Sequence, residues 1–271
     1  MAEIRKIAIA TGTRADWGLL SGIARALAAR ADCEVTILAT NMHLSPRYGN
    51  TISEIVADGF ADPVRVEMPL SADTDCSTVE AMAVCMSGMA RELSRLRPDL
   101  IVILGDRFEM LATATAALML RVPIVHIAGG EISEGAIDDS IRHSITKMAS
   151  LHLTATEPYR RRVIAMGEAP DRVINTGAIG VYNILHEPLL TRRELEESID
   201  FDLTDKSVLV TYHPATLDDE DPAVRCKALL DALDRFEDHK VLMTYPNNDP
   251  RGRIIIDLIE AYAAARPGRV R

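Results

Sequence analysis

Short runs of β-branched and aliphatic residues alternate along the chain with longer alanine- and leucine-rich stretches of helical period. That alternation is the pattern of strands linked by crossover helices, and it predicts a parallel α/β sheet. Strands are expected at residues 6–10, 34–39, 100–104, 124–127, 152–155 and 173–175. Helices fill the gaps. Residues 19–30 place Leu19, Ile23, Ala26 and Leu27 on one face. Residues 79–96 run toward Pro98 and residues 109–120 toward Pro123, each proline helping to stop the helix before the next strand.

A second cycle begins after residues 185–190, where His186, Glu187 and Pro188 read as a connection and Thr191 with Glu194 makes a capping box. The boundary placed there gives an N-terminal domain over residues 1–188 and a C-terminal one over residues 189–271. In the latter, strands at 207–212 and 240–245 alternate with helices at 223–236 and 253–264. Two strand–helix units are too little for a free-standing parallel α/β domain, because a small unit buries a low fraction of its surface. The second domain therefore reads as incomplete. The chain carries no internal repeat and no low-complexity segment.

Composition narrows the class. The 271 residues are 48% hydrophobic and 26% charged, which excludes disordered, collagen-like and mucin-like chains. The 40 acidic against 30 basic residues, a formal charge of -10, oppose phosphate-backbone binding, so no nucleic-acid partner is expected. Cys33, Cys76, Cys85 and Cys226 form no Cys-x-x-Cys pair, which suggests neither a zinc ribbon nor a disulfide framework and fits a reducing cytoplasm. The first ten residues lack the basic head, apolar run and cleavage site of a signal peptide. No apolar run approaches the ~20 residues of a membrane span, so no membrane association is expected.

In open α/β sheets ligands bind beyond the carboxyl ends of the strands. The first strand is followed by Thr11-Gly12-Thr13-Arg14-Ala15-Asp16, in which glycine permits a tight turn and Arg14 offers a planar charged fork to a phosphate. The segment matches neither the Gly-x-Gly-x-x-Gly nor the Walker pattern, and a plain turn with a surface arginine explains it equally well. Gly105-Asp106-Arg107-Phe108-Glu109 and Gly129-Gly130-Glu131 each place a carboxylate at a strand end. Either alone reads as helix capping or a turn; with Arg14 at the ends of neighbouring strands they converge on one crevice. Residues 138–143 (Asp138-Asp139-Ser140-Ile141-Arg142-His143) open a helix, with Asp138 above Arg142 and Asp139 above His143. This is either an ordinary pair of surface contacts or a set of groups for the same crevice. His213-Pro214 and Asn247-Asn248 follow the two strands of the second domain. His126, inside an apolar strand, reads as a satisfied core histidine. Met82, Met86 and Met89 read as helix packing, and the thin scatter of His and Cys gives no metal site.

Residues 11–20, 105–109, 129–131, 137–143 and His213-Pro214 together resemble the hydrolysing UDP-N-acetylglucosamine 2-epimerases, in their sialic-acid branch. The resemblance covers essentially the whole chain. It implies a glycosyltransferase-B-like fold of two Rossmann-like domains with parallel sheets, the second incomplete here, a UDP-sugar substrate between them, and a homodimer. It also implies a glycine- and serine-rich diphosphate-binding segment, and an acidic residue for the ribose, that these 271 residues do not contain. The reaction implied is anti elimination of UDP to a 2-acetamidoglucal followed by hydration, giving N-acetylmannosamine from UDP-N-acetylglucosamine. The same chemistry on a UDP-linked 2,4-diacetamido-2,4,6-trideoxyhexose is the alternative, and a non-catalytic nucleotide-sugar-binding protein is another. Asp106, Glu131 and Asp138 are then the expected acid/base set. Arg14, Arg142 and His213 are expected on the departing diphosphate, and Arg107, Ser140, His143 and Asn247 as further substrate contacts. Elimination and hydration call for no metal or redox cofactor.

Overall fold

β1 (Arg5–Thr11) is buried from Ile7 onward, so both of its faces must be covered, as in a doubly wound sheet. The computed structural model describes residues 4–69, 72, 74–186, 188–218, 220–249 and 251–271. The described residues within 1–71 and 76–186 form one compact unit, and those within 72–75 and 187–271 form another.

In the first unit the chain runs β1, α1 (Arg14–Ala28), β2 (Cys33–Thr40), α2 (Ile52–Ala57), β3 (Val64–Val66), α3 (Asp75–Leu96) and β4 (Leu100–Leu104). It continues through α4 (Phe108–Met119), β5 (Ile124–Ile127), α5 (Ile137–Met148), β6 (Leu151–Thr154), α6 (Glu157–Ala165), β7 (Val173–Asn175) and α7 (Ile179–His186). The described strands make one sheet in the order β3-β2-β1-β4-β5-β6-β7, all neighbours parallel. Strand order reverses between β1 and β4, and a crevice opens at such a switch point beyond the carboxyl ends.

Period-two alternation splits the core in two. Ala8, Ala10, Ile101, Ile103 and Ile124 face α3, α4 and α5, where Met89, Leu93, Met110 and Ile145 are buried with them. Ile7, Ile9, Val102, Leu104, Val125 and Ile127 face the other way, onto Trp17, Leu20 and Ala24 of α1 and Ile52 and Ile55 of α2. Each such side chain is worth about 1.5–3 kcal/mol of burial, which makes the central strands a rigid platform for the loops at their ends.

Several expectations are corrected. Helix α1 starts at Arg14, five residues earlier than the apolar periodicity indicates, because Thr13 and Asp16 form a capping box. Its fully buried stripe is Trp17, Leu20, Ser21 and Ala24; Leu19, Ile23 and Leu27 are half-buried and Ala26 is exposed. Met89 is buried and Met82 packs at the edge of the core, but Met86 faces solvent. His186 ends α7 instead of belonging to a connection, and Glu187 lies outside the described residues.

The second unit contains α8 (Arg192–Ile199), β8 (Ser207–Thr211), α9 (Pro222–Leu233), β9 (Lys240–Thr244) and α10 (Arg253–Ala264). Thr191 and Glu194 cap α8 reciprocally, Glu194 Oε2 accepting the Thr191 N–H at 2.8 Å. β8 and β9 pair in parallel from Ser207↔Lys240 to Thr211↔Thr244, and Val241 bridges Val270. Its core joins Cys226, Leu230, Val241, Ile255 and Ile259. No described helix is long and apolar enough to cross a membrane.

Candidate active site

The loops after β1, β4 and β5 leave neighbouring strands, so the topology brings three of the expected segments to one edge. Gly105 ends β4 at φ +73°, a left-handed conformation that glycine adopts without penalty, and its N–H donates to Ile127 O at 3.0 Å. Its carbonyl accepts a hydrogen bond from His126 Nε2 at 2.8 Å, while His126 Nδ1 lies 3.2 Å from Thr146 Oγ1 on α5. Burial pulls His126 down to about 4, so the ring is neutral; its one proton serves the carbonyl, and Nδ1 accepts from the threonine hydroxyl. The expected core histidine thus ties the end of β4 to α5. Gly129 gives it room, since a Cβ there would lie 3.2 Å from His126 Nδ1.

Those two elements carry the central ion pair. Arg142 of α5 reaches back to Asp106, Nη2 donating to Oδ2, with side chains 6% and 18% exposed. The same Nη2 donates to Ser133 Oγ at 2.9 Å, and Nη1 lies 3.5 Å from Asp139 Oδ1. Asp139 also accepts the Ser133 N–H at 2.9 Å and sits 3.6 Å from His143 Nε2. Asp106 is held above the ordinary carboxylate range. Burial is the main cause, the Arg142 guanidinium opposes it, and the Asp138 charge adds to it. Asp106, Asp138 and Arg142 therefore share one electrostatic environment, and Asp106 is engaged by Arg142 instead of capping α4, whose N-cap residue is Arg107 and whose first turn receives no capping bond from that side chain.

The other expected residues are placed less uniformly. Glu131 is half-buried after the Gly129-Gly130 turn, and Ser140 is exposed on the first turn of α5. Arg14 is an exposed side chain whose Nε lies 3.0 Å from Glu54 Oε1. Arg107, only 10% exposed, is turned onto Glu109, Nε to Oε1 at 2.8 Å. His213 and Asn247 belong to the second unit, two residues beyond β8 and three beyond β9. Among the described residues no group of three or more His, Cys, Asp or Glu side chains could hold a metal.

Two acidic residues carry more than their sequence context shows. Asp16 Oδ2 accepts the N–H groups of Gly12 and Thr13 at 3.1 and 3.0 Å, and Glu109 is wholly buried on the first turn of α4. Gly12 is not left-handed; it is glycine because a Cβ would lie 2.4 Å from Glu109 Oε1. A glycine after β1 and an acid after β4 were the available signals, but β1 and β4 are neighbours only in the folded sheet and no spacing reveals the contact.

Residues 25–270 match the family model described as UDP-N-acetylglucosamine 2-epimerase. The chain belongs to that family. It is 37% identical over 258 residues to the Campylobacter jejuni protein named GDP/UDP-N,N'-diacetylbacillosamine 2-epimerase (hydrolyzing), a match covering 95% of this chain and 67% of that one. It is 34% identical over 259 residues to the Legionella pneumophila protein named UDP-N,N'-diacetylbacillosamine 2-epimerase (hydrolyzing), covering 96% and 68%. The chain thus spans about two thirds of the length of these relatives. Its fold is that of the Methanocaldococcus jannaschii UDP-GlcNAc 2-epimerase, solved with UDP-GlcNAc and UDP, at TM-score 0.76 and 19% identity over 98% of this chain and 72% of that one. This is the α/β, glycosyltransferase-B-like architecture, with a small second unit.

Proposed function

We propose that this chain belongs to a hydrolysing 2-epimerase whose substrate is a UDP-linked 2,4-diacetamido-2,4,6-trideoxyhexose. The observation that carries the chemistry is the Asp106–Arg142 pair with the Asp138 charge beside it, at the carboxyl ends of β4 and β5. Support for this sugar comes from the names of the Campylobacter and Legionella relatives, at 37% and 34% identity. UDP-N-acetylglucosamine, the substrate first expected, is the second reading, and the description of the family model favours it.

In an α-linked nucleotide sugar the diphosphate at C1 and the hydrogen at C2 are axial on opposite faces, which sets up anti elimination. A carboxylate removes the C2 proton, the C1–O bond breaks with its electrons leaving on the diphosphate, and a 2-acetamidoglycal forms. Water then adds its oxygen to C1 as a proton returns to C2 from the other face, yielding the free 2-epimer and UDP. Asp106, Glu131 and Asp138 form the acid/base set; each positioned group of this kind contributes about 10² to 10⁴-fold. Carboxyls in unlike environments divide acid and base roles. Burial and Asp138 push Asp106 toward protonation, while Arg142 holds it ionised.

Arg142, Arg14 and His213 are assigned to the charge that grows on the diphosphate, where loss of one preorganised donor costs about 3–4 kcal/mol. Ser140, His143 and Asn247 are assigned to substrate hydroxyl and amide groups. Arg107, ion-paired with Glu109, acts on the substrate through its positive charge. The protein works as a homodimer in this reading. The test is parallel turnover of the two UDP-sugars. Preference for the diacetamido sugar supports the assignment; preference for UDP-N-acetylglucosamine overturns the substrate, and release of UDP from neither overturns the reaction.

A further inference from the structure

Glu109 is a buried acidic residue that this mechanism does not use. It is 0% exposed, and its Oε2 has no hydrogen-bond partner among the described residues. An acid on the first turn of a helix is ordinarily left in water, where it serves the helix dipole at no desolvation cost. Leaving a buried acceptor unsatisfied carries its full desolvation cost, so its placement needs another reason. Two contacts supply one. Oε1 accepts from Arg107 Nε at 2.8 Å, and Arg107 directly follows Asp106. The same carboxylate fills the space against Gly12, in the turn that leads to Arg14.

We propose that Glu109 is a positioning residue for the reaction described above, seating the Gly12–Thr13 turn on one side and, through Arg107, the Asp106 loop on the other. This rests on the epimerase reading, since both loops carry groups assigned to the substrate. It places one carboxylate under the β1–β4 switch point as the common footing of the two loops.

The charges that face Glu109 fit this role. From α1 comes Asp16, which accepts the amides of the same turn and is pushed up to about 6, first by burial and then by the Glu109 charge, with Arg107 opposing. From α3 comes Cys85, pushed up to about 11, mainly by burial, and so a neutral thiol. On the far side of the turn His43 bonds Thr11 Oγ1 at 2.9 Å and, held down near 4 by burial, is neutral. Among the described residues Arg107 is thus the cation of the cluster, with Asp16 and Glu109 as the acids that compete for it.

The test uses the active protein and four variants: Glu109→Ala, Glu109→Gln, Gly12→Ala, and Gly12→Ala with Glu109→Ala. Steady-state kinetics, urea unfolding and carboxyl-carbon NMR titration of Asp16 are measured on each. Glu109→Ala is expected to lower kcat about 10 to 100-fold with KM within about threefold, as misplacement of catalytic groups does. Glu109→Gln keeps an acceptor for Arg107 and the volume beside Gly12, and is expected to restore most of kcat. It removes the charge, so Asp16 titrates at lower pH than in the wild type. Gly12→Ala should slow the enzyme by itself but add nothing in the Glu109→Ala background, where the new methyl meets no carboxylate. Unchanged kcat with lowered stability in Glu109→Ala would reduce Glu109 to a structural residue. Additive effects in the double variant, or an Asp16 titration that Glu109→Gln leaves in place, would overturn the contact itself. A wild type that turns over neither sugar overturns the reaction reading instead, and the Asp16 titration, which needs no turnover, still decides whether Glu109 bears on the turn.

Discussion

Replacing Arg142 with methionine removes the guanidinium that faces Asp106 and keeps most of the side chain's volume. With the pair 6% and 18% exposed, solvent screens it weakly, and breaking such a pair from one side costs about 3–5 kcal/mol. The carboxyl can escape that cost by taking up a proton. Starting from a free aspartate at about 3.9, protonation at pH 7 costs about 1.36 kcal/mol for each of roughly three units, or about 4 kcal/mol. That figure is a ceiling on the electrostatic loss, and it falls to about 2 kcal/mol at pH 5.5 by the same arithmetic. The lost bond to Ser133 adds about 1 kcal/mol that does not depend on pH. Urea unfolding of wild type and Arg142→Met from pH 5 to 8 should therefore show a stability gap of about 3–5 kcal/mol at pH 7 that narrows on acidification. Adding Asp106→Asn should recover most of it. A gap that stays constant with pH, or a double variant no more stable than Arg142→Met, would refute the account of Asp106 as a buried carboxylate held ionised by one guanidinium.

Asp16, raised from 3.8 to about 6, binds its proton more tightly in the folded state, so its contribution to stability is present at low pH and is lost as pH rises through about 6. Asp16→Asn should remove that loss, making the variant gain on the wild type between pH 4 and 6 by up to about 3 kcal/mol; parallel curves of unfolding free energy against pH would contradict it. His126, held near 4 against an ordinary 6.5, works in the opposite sense: its stabilisation is complete above 6.5 and is lost as pH falls toward 4. His126→Gln should flatten that acid limb and, by loosening Gly105, lower kcat about tenfold or more in the steady-state assay. Gly130→Ala should destabilise by about 3 kcal/mol in urea unfolding, because φ is +82° and the new Cβ would lie 2.5 Å from Tyr159 O; a change under about 1 kcal/mol would show that the turn relaxes freely.

The parallel sheet was legible because its strands are continuous apolar runs, with prolines and glycines marking their limits. β3 was missed because Val64-Arg65-Val66 is broken by a charged residue, whereas the equally short β7 opens on the apolar pair Val173-Ile174. Helix α1 was placed late because its start is set by a polar capping box, and the buried stripe moved with it from Leu19 and Ile23 to Leu20 and Ala24. At the site, Asp106 and Glu131 could be placed at strand ends and Asp138 at a helix start, but which partner each takes is a tertiary fact. Arg142 had Asp138 at i-4 by spacing, yet its Nη2 donates to Asp106, 36 residues away. Glu109 was read only as the last residue of the segment after β4 and the start of a helix, and the sheet's packing shows that it is buried against Gly12.

The claim on which the functional account turns is that acidic groups near Asp106 move a proton at C2 of the sugar. Proton NMR of the active protein with the UDP-linked diacetamido sugar in deuterated water tests it directly. The account predicts release of UDP and a free 2-epimer that carries one deuteron at C2. Release of a sugar that keeps its original hydrogen and configuration at C2 would contradict it.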